Sequence, residues 1–342
     1  MIYLDNSATT VLSDNVKQDI ITNLENFGNP SSLYEIGLKT KRRIEEVREI
    51  VAKCIGGEKK YVYFTSGASE SNTWIMSQFD KVYLPNPIEH HSILNNPKVT
   101  NKYEPDCLVS QMYVNNEIGL ISDIQSLKEK YPNSYIHSDC TQALGNIDIN
   151  VQNMNVDSIS FSGHKIHAPK GIGVLYSTIP MKPLIYGGKQ EYGVRGGTEN
   201  FIGISALGVA IQESTNNIKL KQTHCYELKN RMIDNLKHKK IDFIVNAENM
   251  NTVPNILSLS FKNVSGEAML ILLDSKEIYC SSGSACSSGE LEPSETLKWL
   301  NIPKEYIDGT LRFSFDLYNT TSEIDIVCNE IDRIIEIVLH HF

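Results

Sequence analysis

Short apolar runs separated by helical stretches constrain this chain more than any other feature. YVYFT (61–65), KVYLP (81–85), CLVSQMYV (107–114), YIHSD (135–139), SISFS (158–162) and GVLY (173–176) have the length and the β-branched or aromatic content of strands. Amphipathic stretches lie between them. In KTKRRIEEVREIVAKCIG (39–56), Ile44, Val47, Ile50, Val51 and Cys54 recur at helical spacing and Gly56 stops the helix. Strands alternating with helices predict an α/β fold: a mostly parallel central sheet flanked by helices. After about residue 215 the pattern changes. A long charged helix, KLKQTHCYELKNRMIDNLKH (219–238), precedes strands such as ILSLSF (256–261) and a last amphipathic helix in which Ile324, Val327, Ile331, Ile334, Ile335 and Val338 share a face. The expected domains are a large one over 15–215 and a smaller α+β one made of 1–14 and 216–342.

Composition narrows the function classes. A net charge of -9 over 342 residues argues against a general nucleic-acid binder, which draws on basic charge. No run of about 18 apolar residues is present to span a membrane. The start, MIYLDNSATT, lacks the basic-then-apolar layout of a secretory leader, so the expected location is cytoplasmic. Seven cysteines, an odd number with no C-x-x-C pair, argue against a disulfide framework or a structural zinc site, and no metal is expected. Most of them read as small core residues, Cys280 at the end of an apolar run among them. Cys286 differs: it sits in SSGSACSSGELEPS, a segment of Gly, Ser and Pro that reads as a surface loop.

In an open α/β sheet, ligands bind beyond the carboxyl ends of the strands. Five polar segments leave apolar runs: SGASES (66–71), EHH (89–91), NNEIG (115–119), DCTQ (139–142) and SGHK (162–165). Together they suggest one composite site. SGASE turns from a strand into a helix, where free backbone N–H groups of Ala68 and Ser69, the Ser69 hydroxyl and the helix dipole attract an anion such as phosphate. The alternative is an ordinary N-cap by Ser66 or Ser69. Asp139, at the end of a central strand, could hold a cationic ring nitrogen or a metal, or cap a helix beginning at Thr141. Lys165, directly after a strand, is placed to be desolvated and hence nucleophilic, whereas Lys170 reads as a surface lysine. Phosphate turn, carboxylate and lysine are the three anchors that pyridoxal phosphate needs.

YLDNSATT, FGNPSS, FTSGASESN, EHHSI, VNNEIG, DCTQALG, SFSGHKIHAPKGIGVLY, GGTEN, PNILSLSF, SSGSACSSGELEPS and LRFSF, spread over residues 3–315, resemble the cysteine desulfurases, fold-type-I pyridoxal-phosphate enzymes of the class-V aminotransferase family. The resemblance implies roles. Lys165 corresponds to the Schiff-base lysine, Asp139 to the pyridinium partner, Gln142 to the donor to the ring hydroxyl oxygen, and His90 to the stacked, proton-transferring histidine. Ala68, Ser69, Ser162 and His164 would hold the phosphate. Thr198 would reach the phosphate of the neighbouring subunit, implying a homodimer. Asn116 and Arg312 would bind the substrate carboxylate. Cys286 would take sulfur from L-cysteine as a persulfide, leaving L-alanine, and pass it to an acceptor protein. Between Ile93 and Val114 the chain is shorter than the family pattern by about a helix and a strand, and it ends soon after its last helix. The expected outlet is therefore a dedicated acceptor, such as a tRNA-thiolation or other sulfur-carrier protein, or release of sulfide to a reductant, rather than a scaffold that recognises a long tail. The alternatives are an aminotransferase or a selenocysteine/cysteine lyase on the same fold without a persulfide relay, and a non-enzymatic partner-binding protein.

Overall fold

The apolar runs assemble into a seven-stranded sheet in the order Val62–Thr65, Gly173–Ser177, Ser158–Ser162, Tyr135–Asp139, Leu108–Ser110, Val82–Tyr83, Val99–Thr100. Only Gly173–Ser177 runs antiparallel to its neighbours. Strands ending at Thr65, Asp139 and Ser162 therefore open onto the same edge of the sheet. The protein, described here from a computed structural model over residues 1–282 and 294–341, divides into two units. The larger is Thr10–Tyr113 with Ser122–Ile218; the smaller is Met1–Thr9 with Val114–Ile121 and Lys219–Phe342.

These limits correct the expected ones at 14/15 and 215/216, and residues 114–121 change sides. The reason is local pairing. Leu120 bridges Thr252, Gly119 accepts from the Val253 N–H at 2.9 Å, and Ile121 donates to Asn251 at 2.9 Å.

Within the larger unit the helix Glu35–Cys54 buries Ile44, Val47 and Val51, as its spacing predicts, and the chain leaves it through Gly56 at φ +64°. It also buries Arg48, which no apolar pattern announces. The Arg48 guanidinium grips Glu191 at 2.7 and 2.8 Å, donates to the Val62 carbonyl at 2.7 Å and lies over the rings of Phe64 and Tyr192. Glu191 and Tyr192 both have positive φ, a conformation that side chains resist unless the surroundings hold them. The two-pronged ion pair does so, and it ties the segment leading to Thr198 to the sheet.

The smaller unit contains a four-stranded antiparallel sheet in the order Ser281–Ser282, Thr310–Ser314, Ile256–Phe261, Phe243–Val245, and a parallel pair, Ile2–Tyr3 with Ile278–Tyr279. The last helix, Thr321–His341, buries Ile324, Val327, Ile331, Ile334 and Val338 in this unit's core, with Ile335 partly buried beside them. Each such burial is worth about 1.5–3 kcal/mol, which fixes the helix in register. No helix among the described residues is long and apolar enough to cross a membrane.

Candidate active site

Four of the five strand-end segments lie in the larger unit; hydrogen bonds join EHH to DCTQ through Ser92 and Asn72, and SGHK to SGASES through Ser162 and Ala68. Asp139, 3% exposed, accepts from the Asn72 amide at 2.8 Å and from the Thr141 N–H at 2.9 Å. The second bond is a cap-like contact, yet 141–146 forms turns rather than a helix. Both partners are neutral donors, so the carboxylate keeps its charge for another group. Glu89, also buried, accepts from the Met112 N–H at 2.6 Å, and its Oε2 has no partner. Burial, and then the nearby Asp139 charge, push the Glu89 carboxyl well above the usual range.

His90 caps the short helix His91–Leu94, its Nδ1 accepting from the Ser92 N–H at 3.1 Å and lying 2.8 Å from the Ser92 hydroxyl. Burial lowers its pKa, and the Lys165 charge adds to this against the pull of Asp139. Neutral His90 therefore carries its proton on Nε2.

Ser162 ends its strand, and Gly163–Lys165 follows as a single tight turn. Ser162 Oγ accepts from the Ala68 N–H at 2.7 Å. Ala68 opens the helix Ala68–Ser77, which has glycine at its N-cap and no side-chain cap. The expected alternative, a cap by Ser66 or Ser69, is not observed. Instead Glu70 reaches back to the Ser66 N–H at 2.8 Å and is gripped by Arg195 at 2.9 and 3.1 Å. Ser162 thus takes the Ala68 N–H that the sequence predicts to be free, and the helix start leaves its other first-turn N–H groups and the positive end of the dipole for an anion. Gly173 must be glycine here, since a Cβ would lie 2.5 Å from the Gly67 Cα. His164 is half-buried, and burial with the charges of Lys165 and Lys170 brings its pKa to about 4, so it is a neutral donor. Gln142 is buried; Ser69 and Thr198 are exposed.

In the smaller unit Arg312, 4% exposed, donates to Asp5 at 2.8 Å and to the Asn116 carbonyl at 2.9 Å, while its buried Nε has no partner. Sequence reasoning does not single out Asp5, although it stands in YLDNSATT. Asn72, in FTSGASESN, escapes it in the same way, as does His137. Cys280 is partly buried; burial, then the Asp5 charge, push its thiol far up, which keeps it inert. Cys286 lies outside the described residues. No cluster of metal-ligating side chains occurs among the described residues.

The sequence profile of the class-V aminotransferases matches residues 2–97 and 97–327. The chain belongs to that family, among its cysteine desulfurases. The cysteine desulfurase IscS of Dictyoglomus turgidum is 36% identical over 372 residues, covering 98% of this chain and 94% of that protein. IscS of Methanosarcina thermophila is likewise 36% identical, covering 98% and 92%. Among solved structures, a NifS-like protein from Rickettsia africae superposes with a TM-score of 0.89 at 30% identity, covering 98% of this chain and 99% of that one. SspA in complex with cysteine superposes with a TM-score of 0.77 at 26% identity, covering 94% and 100%. The fold is thus that of the fold-type-I enzymes. The family match comes in two stretches that meet at residue 97, inside the interval that the sequence predicts to be short. The family's cofactor is pyridoxal 5'-phosphate, and the larger unit fits it: a buried carboxylate held only by neutral donors, a lysine on the turn after the neighbouring strand, and an uncapped helix start.

Proposed function

We propose that this chain is a pyridoxal-phosphate-dependent cysteine desulfurase that converts L-cysteine to L-alanine and carries the sulfur as a persulfide on Cys286. The observation that carries the reading is the pairing of Asp139 with Lys165. Asp139 is in register with Ser160 on the adjacent strand, and Lys165 lies on the turn that follows that strand. Bound there, the cofactor withdraws electrons from the substrate Cα. Asp139 would hold the protonated ring nitrogen. Lys165 Nζ would hold the cofactor at rest and take the Cα proton when freed. His90 would lie against the cofactor, and its Nε2 would manage the substrate thiol proton. Gln142 donates to the ring hydroxyl oxygen. Ala68, Ser69, Ser162 and His164 hold the phosphate.

In the smaller unit, Asn116 and Arg312 take the substrate carboxylate, for which the unpartnered Nε of Arg312 is an available donor. The transfer balances: the Cβ–S bond of L-cysteine breaks, an S–S bond forms on Cys286, and the displaced hydrogen goes to carbon. The persulfide then passes to a sulfur-acceptor protein.

The enzyme acts as a homodimer in the cytoplasm. Ile21, Leu24, Phe27, Leu33, Tyr34 and Ile36 expose an apolar stretch of the kind that a second subunit covers, with Phe27 83% and Leu33 91% exposed. Thr198 is exposed, as a residue serving a neighbouring subunit must be. All six described cysteines are free, which suits a reducing compartment.

The test is incubation with L-cysteine, measuring alanine, sulfide and protein persulfide together. Cys286→Ser should keep the yellow cofactor and lose nearly all persulfide, because a hydroxyl is a poor sulfur acceptor. Borohydride should fix the cofactor on Lys165. A label on Lys170, or persulfide formation at the parent rate in Cys286→Ser, sinks the corresponding assignment.

A further inference from the structure

Asn72 makes four hydrogen bonds, and their chemistry fixes which way its amide points. One end faces Asp139 Oδ2 at 2.8 Å and Ser92 Oγ at 2.9 Å; the other faces His137 Nε2 at 3.1 Å and Ser160 Oγ. An ionised carboxylate only accepts, so the NH2 end must be the one toward Asp139 and Ser92. The Asn72 oxygen then requires a proton on His137 Nε2, and His137 Nδ1 accepts from Ser158 Oγ at 2.9 Å. Ser92 Oγ, accepting from Asn72, has its own proton left to donate to His90 Nδ1 at 2.8 Å.

We infer that Asn72 is a positioning residue joining the two groups that act on the ring, holding Asp139 directly and His90 through the Ser92 hydroxyl. One rigid amide, clamped from behind by His137 and Ser160, sets the direction of the Asp139 carboxylate and the tautomer of His90 together. All members are buried or half-buried on neighbouring elements of one unit: the helix Ala68–Ser77, the strands Tyr135–Asp139 and Ser158–Ser162, and the start of His91–Leu94. The functional meaning rests on the roles proposed for Asp139 and His90; the hydrogen-bond chain itself does not.

The cofactor-free protein tests it by NMR, reading the titration of the His90 imidazole nitrogens and, at fixed pH, the chemical shift of the Asp139 carboxyl carbon. The other charged or titratable groups acting on His90 are Lys165 and His91, and those around Asp139 are Glu89, His137 and Cys140. None of them is altered in either variant. Ser92→Ala removes one donor from Nδ1, so the His90 midpoint should rise while the Asp139 carboxyl signal stays in place. Asn72→Ala removes the donor to Asp139 and the orienting bond to Ser92, so the His90 midpoint should rise and the Asp139 carboxyl signal should move as well. An Asn72 that matters only for stability would lower the melting temperature and leave the His90 midpoint and the Asp139 signal in place. That result overturns the inference, as does a Ser92→Ala protein with an unmoved His90; the second measurement stands even if Asn72→Ala does not fold. Desulfurase activity, assayed separately with cofactor, reports on the proposed function and not on this chain of bonds.

Discussion

Two arginines are almost completely buried, one in each unit, and they are held in different ways. Arg48 has every nitrogen engaged: Nε with Glu45 at 3.1 Å, and the two terminal nitrogens with Glu191 and the Val62 carbonyl. Arg312 has its terminal nitrogens on Asp5 and the Asn116 carbonyl but keeps a buried Nε–H without a partner. Four of the five Arg48 N–H groups are used in this way, which leaves little to offer a ligand. A guanidinium nitrogen buried without a partner carries a desolvation cost that a ligand can relieve. The contrast gives Arg48 a structural part and supports the binding role proposed for Arg312, although both stand on regular elements with little exposed surface.

The largest effect that could break this contrast is on stability. Arg48→Met strands the Glu191 carboxylate in the interior and should cost about 3–5 kcal/mol in urea unfolding. Arg48→Met combined with Glu191→Leu should recover part of that loss. A single variant as stable as the parent would remove Arg48 from the structural side.

A neutral buried group in the same unit gives the next effect. Burial brings the His137 pKa from 6.5 to about 4, so the unfolded chain takes up this proton more readily than the folded one. Stability from this group is complete above pH 6.5 and is lost as pH falls through 4, up to about 3 kcal/mol in all. Unfolding measured at fixed ionic strength should show that slope, and His137→Gln should flatten it.

For Arg312 the expected loss is in catalysis. Arg312→Lys keeps a charge facing Asp5 but removes the planar fork, so kcat/KM for L-cysteine should fall roughly 10- to 100-fold while the melting temperature changes little. A large drop in stability with unchanged kinetics would reverse the two assignments. The smallest effect belongs to Cys280→Ala. It should cost about 1 kcal/mol of packing and leave persulfide formation intact, because a thiol whose pKa burial has raised is a poor nucleophile. Loss of persulfide in that variant would move the sulfur chemistry away from Cys286.

Much of this molecule is legible in its amino-acid sequence. The alternation of apolar runs with helical stretches determines a mostly parallel sheet, because a buried strand and an amphipathic helix each leave a periodic mark on their own residues. Asp139 and Lys165 stand out for the same reason: an ionisable group directly after an apolar run marks the end of a strand, where open sheets bind ligands. The face of the last helix is readable from Ile324 to Val338. Tertiary structure alone decides the partnerships. Arg48 sits among charges in KRRIEEVREI and looks solvated until Glu191, 143 residues away, is brought to it. Asp5 meets Arg312 across 307 residues, and Asn72 meets Asp139 across 67. Residues 114–121 follow a strand of the larger unit in sequence yet pair with 251–253 of the smaller. Periodicity reports which side of one element is buried. A hydrogen bond or ion pair depends on which two elements meet and at what register, and that is set by the packing of the whole sheet and its helices.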